Sequence, residues 1–156
     1  MKNDYTYLYN NLIKLTTNKK LYKELTLSQD QFTDRLLILL FHLAFFFKNF
    51  KNLNNKFILQ NIYDFIFKQI ELSIREIGYG DQSINKNMKN YLNCFHAILS
   101  NIHFWDGKNQ CKKNECLSKF LKNFKNIEFL VAYFEDFNSN LKKYDLNSYL
   151  KSVNKL

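Results

Sequence analysis

Cys94, His96, His103, Cys111 and Cys116 could in principle surround a metal. A zinc site needs Cys or His pairs at short spacing on ordered ends, and no C-x-x-C occurs here. Cys94 and His96 fall about 200° apart around a helix of 3.6 residues per turn, so they face different sides. The set therefore reads as buried thiols and surface imidazoles. His42 sits inside an apolar run and reads as a hydrogen-bonded core residue rather than a base. There is no G-x-S-x-G, no Walker lysine loop and no H-E-x-x-H, the spacings that serine hydrolysis, nucleotide binding and metalloproteolysis require. No Glu is followed three residues later by His, as a di-iron carboxylate bundle would need. No catalytic residue, metal or cofactor is expected.

Polar chemistry concentrates instead in Ile74-Arg75-Glu76-Ile77-Gly78-Tyr79-Gly80-Asp81, which holds two of the three glycines of a proline-free chain. Gly78 is expected to end a helix in the left-handed conformation that glycine adopts without steric cost. Gly80-Asp81 then turns the chain, with Asp81 or Ser83 expected to cap the next helix. Lys86 and Lys89 follow one turn apart. An exposed Tyr79 among charged neighbours has the composition of a protein-docking corner. Gly78-Tyr79-Gly80 lacks the third glycine and the preceding strand of a dinucleotide loop. The candidate partner-binding set is Arg75, Glu76, Gly78, Tyr79, Gly80, Asp81, Lys86 and Lys89.

Helical periodicity positions this corner. A first helix is expected over about Tyr5 to Leu15, then a connector from Thr16 to Leu27 in which Leu21, Tyr22 and Leu25 pack as a short helix. Asp30 or Thr33 is expected to cap a second helix whose Leu36 to Phe47 stretch is nearly all apolar and so enclosed on every side. About 12 residues fall short of the ~20 needed to cross a bilayer. After an Asn49 to Asn55 break, the third helix runs from about Phe57 to Ile77. It carries one apolar stripe of Leu59, Ile62, Tyr63, Ile66, Ile70 and Ile77, and a second of Ile58, Phe65 and Leu72. Asp64–Lys68 and Glu71–Arg75 are spaced as ion pairs. The fourth helix, about Ile84 to His103, repeats Ile84, Met88, Tyr91, Phe95, Ile98 and Ile102 at alternating four and three spacing. A loop from Trp105 to Asn114 precedes helices over about Glu115 to Phe124, Glu128 to Leu141 and Leu146 to Val153. The expected fold is all-α: one domain over residues 1–156, a bundle of six to seven helices of unequal length.

With 156 residues the chain can enclose one core, much of it from 16 Phe and 10 Tyr. The net charge of +9 permits nucleic-acid, anionic-lipid or acidic-partner binding, yet the lysines are dispersed, and A- and T-rich codon usage accounts for much of the surplus. No DNA partner is expected. Three cysteines cannot all pair, which points to a reduced, intracellular protein; Met1 to Tyr5 has no secretory apolar core.

The motif from Ile74 to Gln82, followed by Ser83, Lys86 and Lys89, is similar to L-R-E-M-G-V-G-D-L with its trailing serine and basic residues. Ile62-Tyr63-Asp64 and Glu71 look like its lead-in. Asp30, Arg35 and His42 match a pattern D-x4-R-x6-H, Phe95 an aromatic of the fourth helix, Lys122-Asn123 an Arg-Asn pair, and Leu130-Val131-Ala132-Tyr133 an L-x-x-Y. On these residues, from about Leu12 to Tyr133, the chain resembles the ubiquinol–cytochrome c chaperone family, bacterial relatives of a mitochondrial assembly factor for respiratory complex III. It departs from that pattern at Asp34 (usually Gly), Gln69, Tyr79, Asn87 and Asn90. The resemblance implies a non-enzymatic helical assembly chaperone that binds newly made cytochrome b. For mitochondrial relatives it also implies a small partner protein and the ribosome exit region nearby. It places the protein in the cytoplasm, at or near the inner membrane as a peripheral contact. The residues alone leave two other readings open: a basic helical nucleic-acid or ribosome-binding module, and a small helical enzyme acting on a lipid-like substrate.

Overall fold

The computed structural model describes residues 5–22 and 32–155. Within them lie seven α-helices: α1 (Thr6–Thr16), α2 (Phe32–Phe50), α3 (Lys56–Ile77), α4 (Asp81–Ile102), α5 (Gln110–Ser118), α6 (Ile127–Leu141) and α7 (Leu146–Asn154). Short 3-10 turns at Lys19–Tyr22, Leu53–Asn55 and Trp105–Gly107 join some of them. The fold is all-helical, as the periodicity predicts. No described helix is long and apolar enough to cross a membrane.

The all-round apolar α2 is the axis of the molecule. Ile38 through Phe46 are all buried, because α1, α4 and α6 pack around this helix. Helix α5 lies on α6, and α7 closes against α1. Phe45 stacks on Phe134 of α6 with ring centres 5.4 Å apart and meets the buried Trp105 edge-on at 5.1 Å. Such offset and edge-to-face aromatic contacts add specificity to area burial.

His42 is fully buried and held from three sides. Its Nδ1 lies 2.9 Å from the Ile38 carbonyl oxygen and 3.4 Å from Thr16 Oγ1, and its Nε2 lies 2.6 Å from the Tyr133 hydroxyl. A carbonyl can only accept, so Nδ1 carries the hydrogen and Nε2 accepts from Tyr133. Burial pushes the His42 pKa down to about 4 and that of Tyr133 up to about 12, so the first is neutral and the second remains a donor.

The asparagine-rich break after α2 is an ordered corner. Asn52 Oδ1 accepts from the Asn55 backbone N–H at 2.8 Å, and Asn55 Nδ2 donates to the otherwise open Phe50 carbonyl at 2.8 Å. At the other end of α3, Gly78 adopts φ 103°, and its N–H bonds to the Arg75 carbonyl at 3.0 Å. The left-handed helix end is therefore where the sequence puts it.

Several expectations are corrected. Gly80, not Asp81 or Ser83, occupies the N-cap of α4, and no side chain caps that end. Asp81 lies in the first turn, where its charge suits the positive end of the helix. Thr33 lies inside α2; Asp30 and Leu25 fall outside the described residues. Helix α5 begins at Gln110, where Asn109 Oδ1 accepts from Lys112 N–H at 2.9 Å, so the expected long loop is shorter. Residues 119–124, expected as the second half of a helix, are irregular, although Leu121 and Phe124 are buried. Ile77 is exposed, since the chain turns away immediately after it. Asp64 accepts from Gln60 rather than Lys68, and Lys68 leans the other way to Glu71. Of the three thiols, Cys116 is buried, Cys94 intermediate and Cys111 exposed.

Candidate functional site

The α3–α4 hairpin brings the candidate residues to one end of the bundle. Arg75 bridges both helices: Nη2 lies 3.1 Å from Glu71 Oε1 and Nη1 lies 2.7 Å from Asp81 Oδ1. Hydrogen bonds from Arg75 hold the Glu71 carboxyl below its usual range, and those to Asp81 and Glu71 raise the already high Arg75 value. Exposed ion pairs of this kind contribute little stability. The triad spans the Gly-Tyr-Gly turn and joins the last turn of α3 to the first turn of α4.

Tyr79 is 48 % exposed at the tip of that turn, between the exposed Gly78 and Gly80. Glu76, Lys86 and Lys89 are exposed as well. Lys86 and Lys89 stand about 200° and 140° around α4 from the buried Ile84, on its outer face. Arg75, Asp81 and the turn thus form one unit, with Lys86 and Lys89 extending a basic strip along α4.

Of the remaining motif residues, His42, Phe95, Leu130 and Val131 are buried, Arg35 and Lys122 are exposed, and Asp30 lies outside the described residues. The His42–Tyr133 bond joins two positions 91 apart in sequence, and so ties α2 to α6. Asp34, where a glycine is usual, is buried and accepts from Asn123 Nδ2 at 3.1 Å, which fastens the 119–126 segment to the start of α2. Only one oxygen of Asp34 is satisfied in this way: Oδ2 is buried with no hydrogen-bond partner among the described residues, a cost that the Asn123 bond does not remove.

Two clusters escape sequence reasoning. Asp106, at the 3-10 turn after α4, accepts from Lys142 Nζ at 2.6 Å, Lys48 Nζ at 2.8 Å and Asn138 Nδ2 at 2.8 Å. Partial burial works against its charge, but these three donors prevail and hold the Asp106 carboxyl well below the carboxylate range. The second is an apolar groove of about 770 Å³ between the start of α3 and the end of α4, lined in part by Phe47, Tyr63, Phe95 and Leu99. Tyr63 and His96 hydrogen-bond at 3.2 Å along it. The sequence signal was Leu53 and Phe57, two large apolar residues inside a polar stretch.

No curated protein matches the chain in sequence. The crystal structure of the Cbp3 homolog from Brucella abortus shares its fold, with a TM-score of 0.73 and 22% identity over 93% of this chain and 83% of that one. Residues 27–103 match the family model described as Ubiquinol-cytochrome C chaperone. That segment takes in α2, α3 and α4 and therefore both the central axis and the candidate corner. On this match, residues 27–103, about half of the chain, are similar to the ubiquinol-cytochrome C chaperone family.

Proposed function

We propose that this protein is an assembly chaperone for ubiquinol–cytochrome c reductase that binds newly made cytochrome b and keeps its apolar segments from pairing wrongly until the neighbouring subunits arrive. It acts stoichiometrically, at the cytoplasmic face of the inner membrane. Arg75, Glu76, Tyr79 and Asp81, with Lys86 and Lys89, supply the polar contacts to the client. Arg35 and His42 support the scaffold.

The observation that carries this reading is the family segment itself. It contains the hairpin whose Arg75–Asp81 bridge, at 2.7 Å, braces an exposed aromatic turn. Nothing in that arrangement makes or breaks bonds; a rigid convex corner of aromatic and charged residues is suited to a protein surface.

Crosslinking in membranes followed by retrieval of the tagged protein tests it. Cytochrome b should be recovered with the unaltered chain. With Arg75→Ala and Tyr79→Ala combined, recovery should fall about tenfold, the loss of about 1.4 kcal/mol of binding, while circular dichroism stays unchanged. Equal recovery by both proteins would remove the corner from the account. The basic nucleic-acid reading predicts instead RNA recovery that collapses as salt is raised.

A further inference from the structure

The groove at the far end of the α3–α4 hairpin is apolar at its floor and basic at its mouth. Phe47, Leu59, Phe95 and Leu99 form the floor. Lys51 and Lys56 stand at one end, and no Asp or Glu lines the groove. Lys48, one turn earlier on α2, is already neutralised by Asp106 at 2.8 Å. Lys51 and Lys56, by contrast, have no carboxylate partner among the described residues. Leu53, which lines the groove, is 91 % exposed, and Phe57 and Phe104, which follow the lining residues Lys56 and His103 in sequence, are 75 % and 73 % exposed. Large apolar side chains grouped in this way on a protein surface mark a contact site.

We infer that this groove receives an amphipathic helix of a protein partner, with its apolar ridge on the floor and an acidic residue at the end beside Lys51 and Lys56. This rests on the reading of the protein as an assembly chaperone and adds a second contact, distinct from the Arg75–Tyr79 corner. The shape requires a convex ridge: a flat bilayer surface would leave the floor between α3 and α4 unfilled. Gln60, Asn52 and the Tyr63–His96 pair border the floor with hydrogen-bonding groups, as the polar flanks of a helix lying in a groove require. The two unpaired ammonium groups choose the polarity of the occupant: a carboxylate there gains Coulomb attraction, and a lysine is repelled.

The test uses the full chain and two fluorescein-labelled synthetic helices with the same leucine-rich face, one beginning Glu-Glu and the other Lys-Lys. Fluorescence anisotropy should show the acidic peptide binding about tenfold more tightly, a difference of about 1.4 kcal/mol. Lys51→Glu with Lys56→Glu should reverse that preference. Leu53→Ser with Phe57→Ser should weaken both peptides, and Tyr79→Ala should change neither. Parallel arms use phosphatidylglycerol vesicles and oleate. Indifference to peptide charge, no peptide binding, or binding untouched by the groove substitutions would each overturn the inference. So would capture of vesicles or oleate alone, lost in the same variants, which would assign the groove to lipid. The peptides contain no cytochrome b sequence, so failure here leaves the retrieval experiment at the hairpin corner standing, and the converse also holds.

Discussion

Phe134→Ala should destabilise the protein by about 3–5 kcal/mol, the range for removing a buried aromatic ring from a close-packed interior. Phe134 is fully buried on α6, where its ring contacts Phe41, His42 and Phe45 of α2, with centres at 5.5, 5.2 and 5.4 Å. Truncation therefore leaves a void against the one helix that every layer of the bundle uses, and the stiff neighbours cannot close it. Domains are stable by only about 5–15 kcal/mol, so the urea midpoint should drop sharply with the slope of the transition retained. Phe104→Ala, at a ring 73 % exposed, is the matched control and should change stability by less than about 0.5 kcal/mol. Similar midpoints for the two variants would mean that α2 and α6 are not packed as described.

Acid should weaken the fold well before the carboxylates titrate. His42 has a pKa of about 4 in the folded protein, against 6.5 for a free imidazole. Between those values the unfolded chain binds a proton that the folded chain rejects, so stability falls as pH falls. The loss runs from pH 6.5 to about pH 4 and totals about 3 kcal/mol, at 1.36 kcal/mol per pH unit. Protonation would also spoil the geometry, since Nε2 accepts from the Tyr133 hydroxyl at 2.6 Å. The depressed carboxyl of Asp106 contributes below this window, because its stabilisation is lost only as pH falls under the ordinary carboxylate value of 3.8. Urea titrations at pH 7, 6, 5 and 4 separate the two. His42→Gln removes the titrating group, and its stability should be nearly flat from pH 6.5 to 4. An equal slope in both proteins would assign the acid sensitivity elsewhere.

Much of the frame is legible in the residues. The apolar run of α2, the four-three spacing of α4 and the scarce glycine at Gly78 each state a local demand that tertiary packing then satisfies. His42 was readable for the same reason, since an imidazole inside an enclosed helix must find hydrogen-bond partners. Its partner Tyr133 was not, because a contact across 91 positions is written in the topology and not in either neighbourhood. Helix α5 begins five residues before the periodicity predicts because Gln-Cys-Lys-Lys-Asn-Glu has almost no apolar period; it buries only Cys116 and Leu117 and is started by its Asn109 cap. The 119–124 segment misled in the opposite sense. Leu121 and Phe124 mimic a helical stripe, but they serve as separate plugs in an irregular chain.

The candidate corner divides in the same way. Its glycines and the Glu71–Arg75 pair follow from sequence spacing, whereas the Arg75–Asp81 bridge exists only once the hairpin has closed. The groove lies further from view. Phe47, Leu59 and Leu99 come from three helices, and only the fold shows that they share a floor.

The most direct measurement is the amount of cytochrome b and of assembled ubiquinol–cytochrome c reductase in a strain lacking this protein. Both should fall, and both should return when the unaltered chain is restored but not with the Arg75→Ala, Tyr79→Ala variant. Normal cytochrome b and normal reductase in the deletion strain would contradict the account.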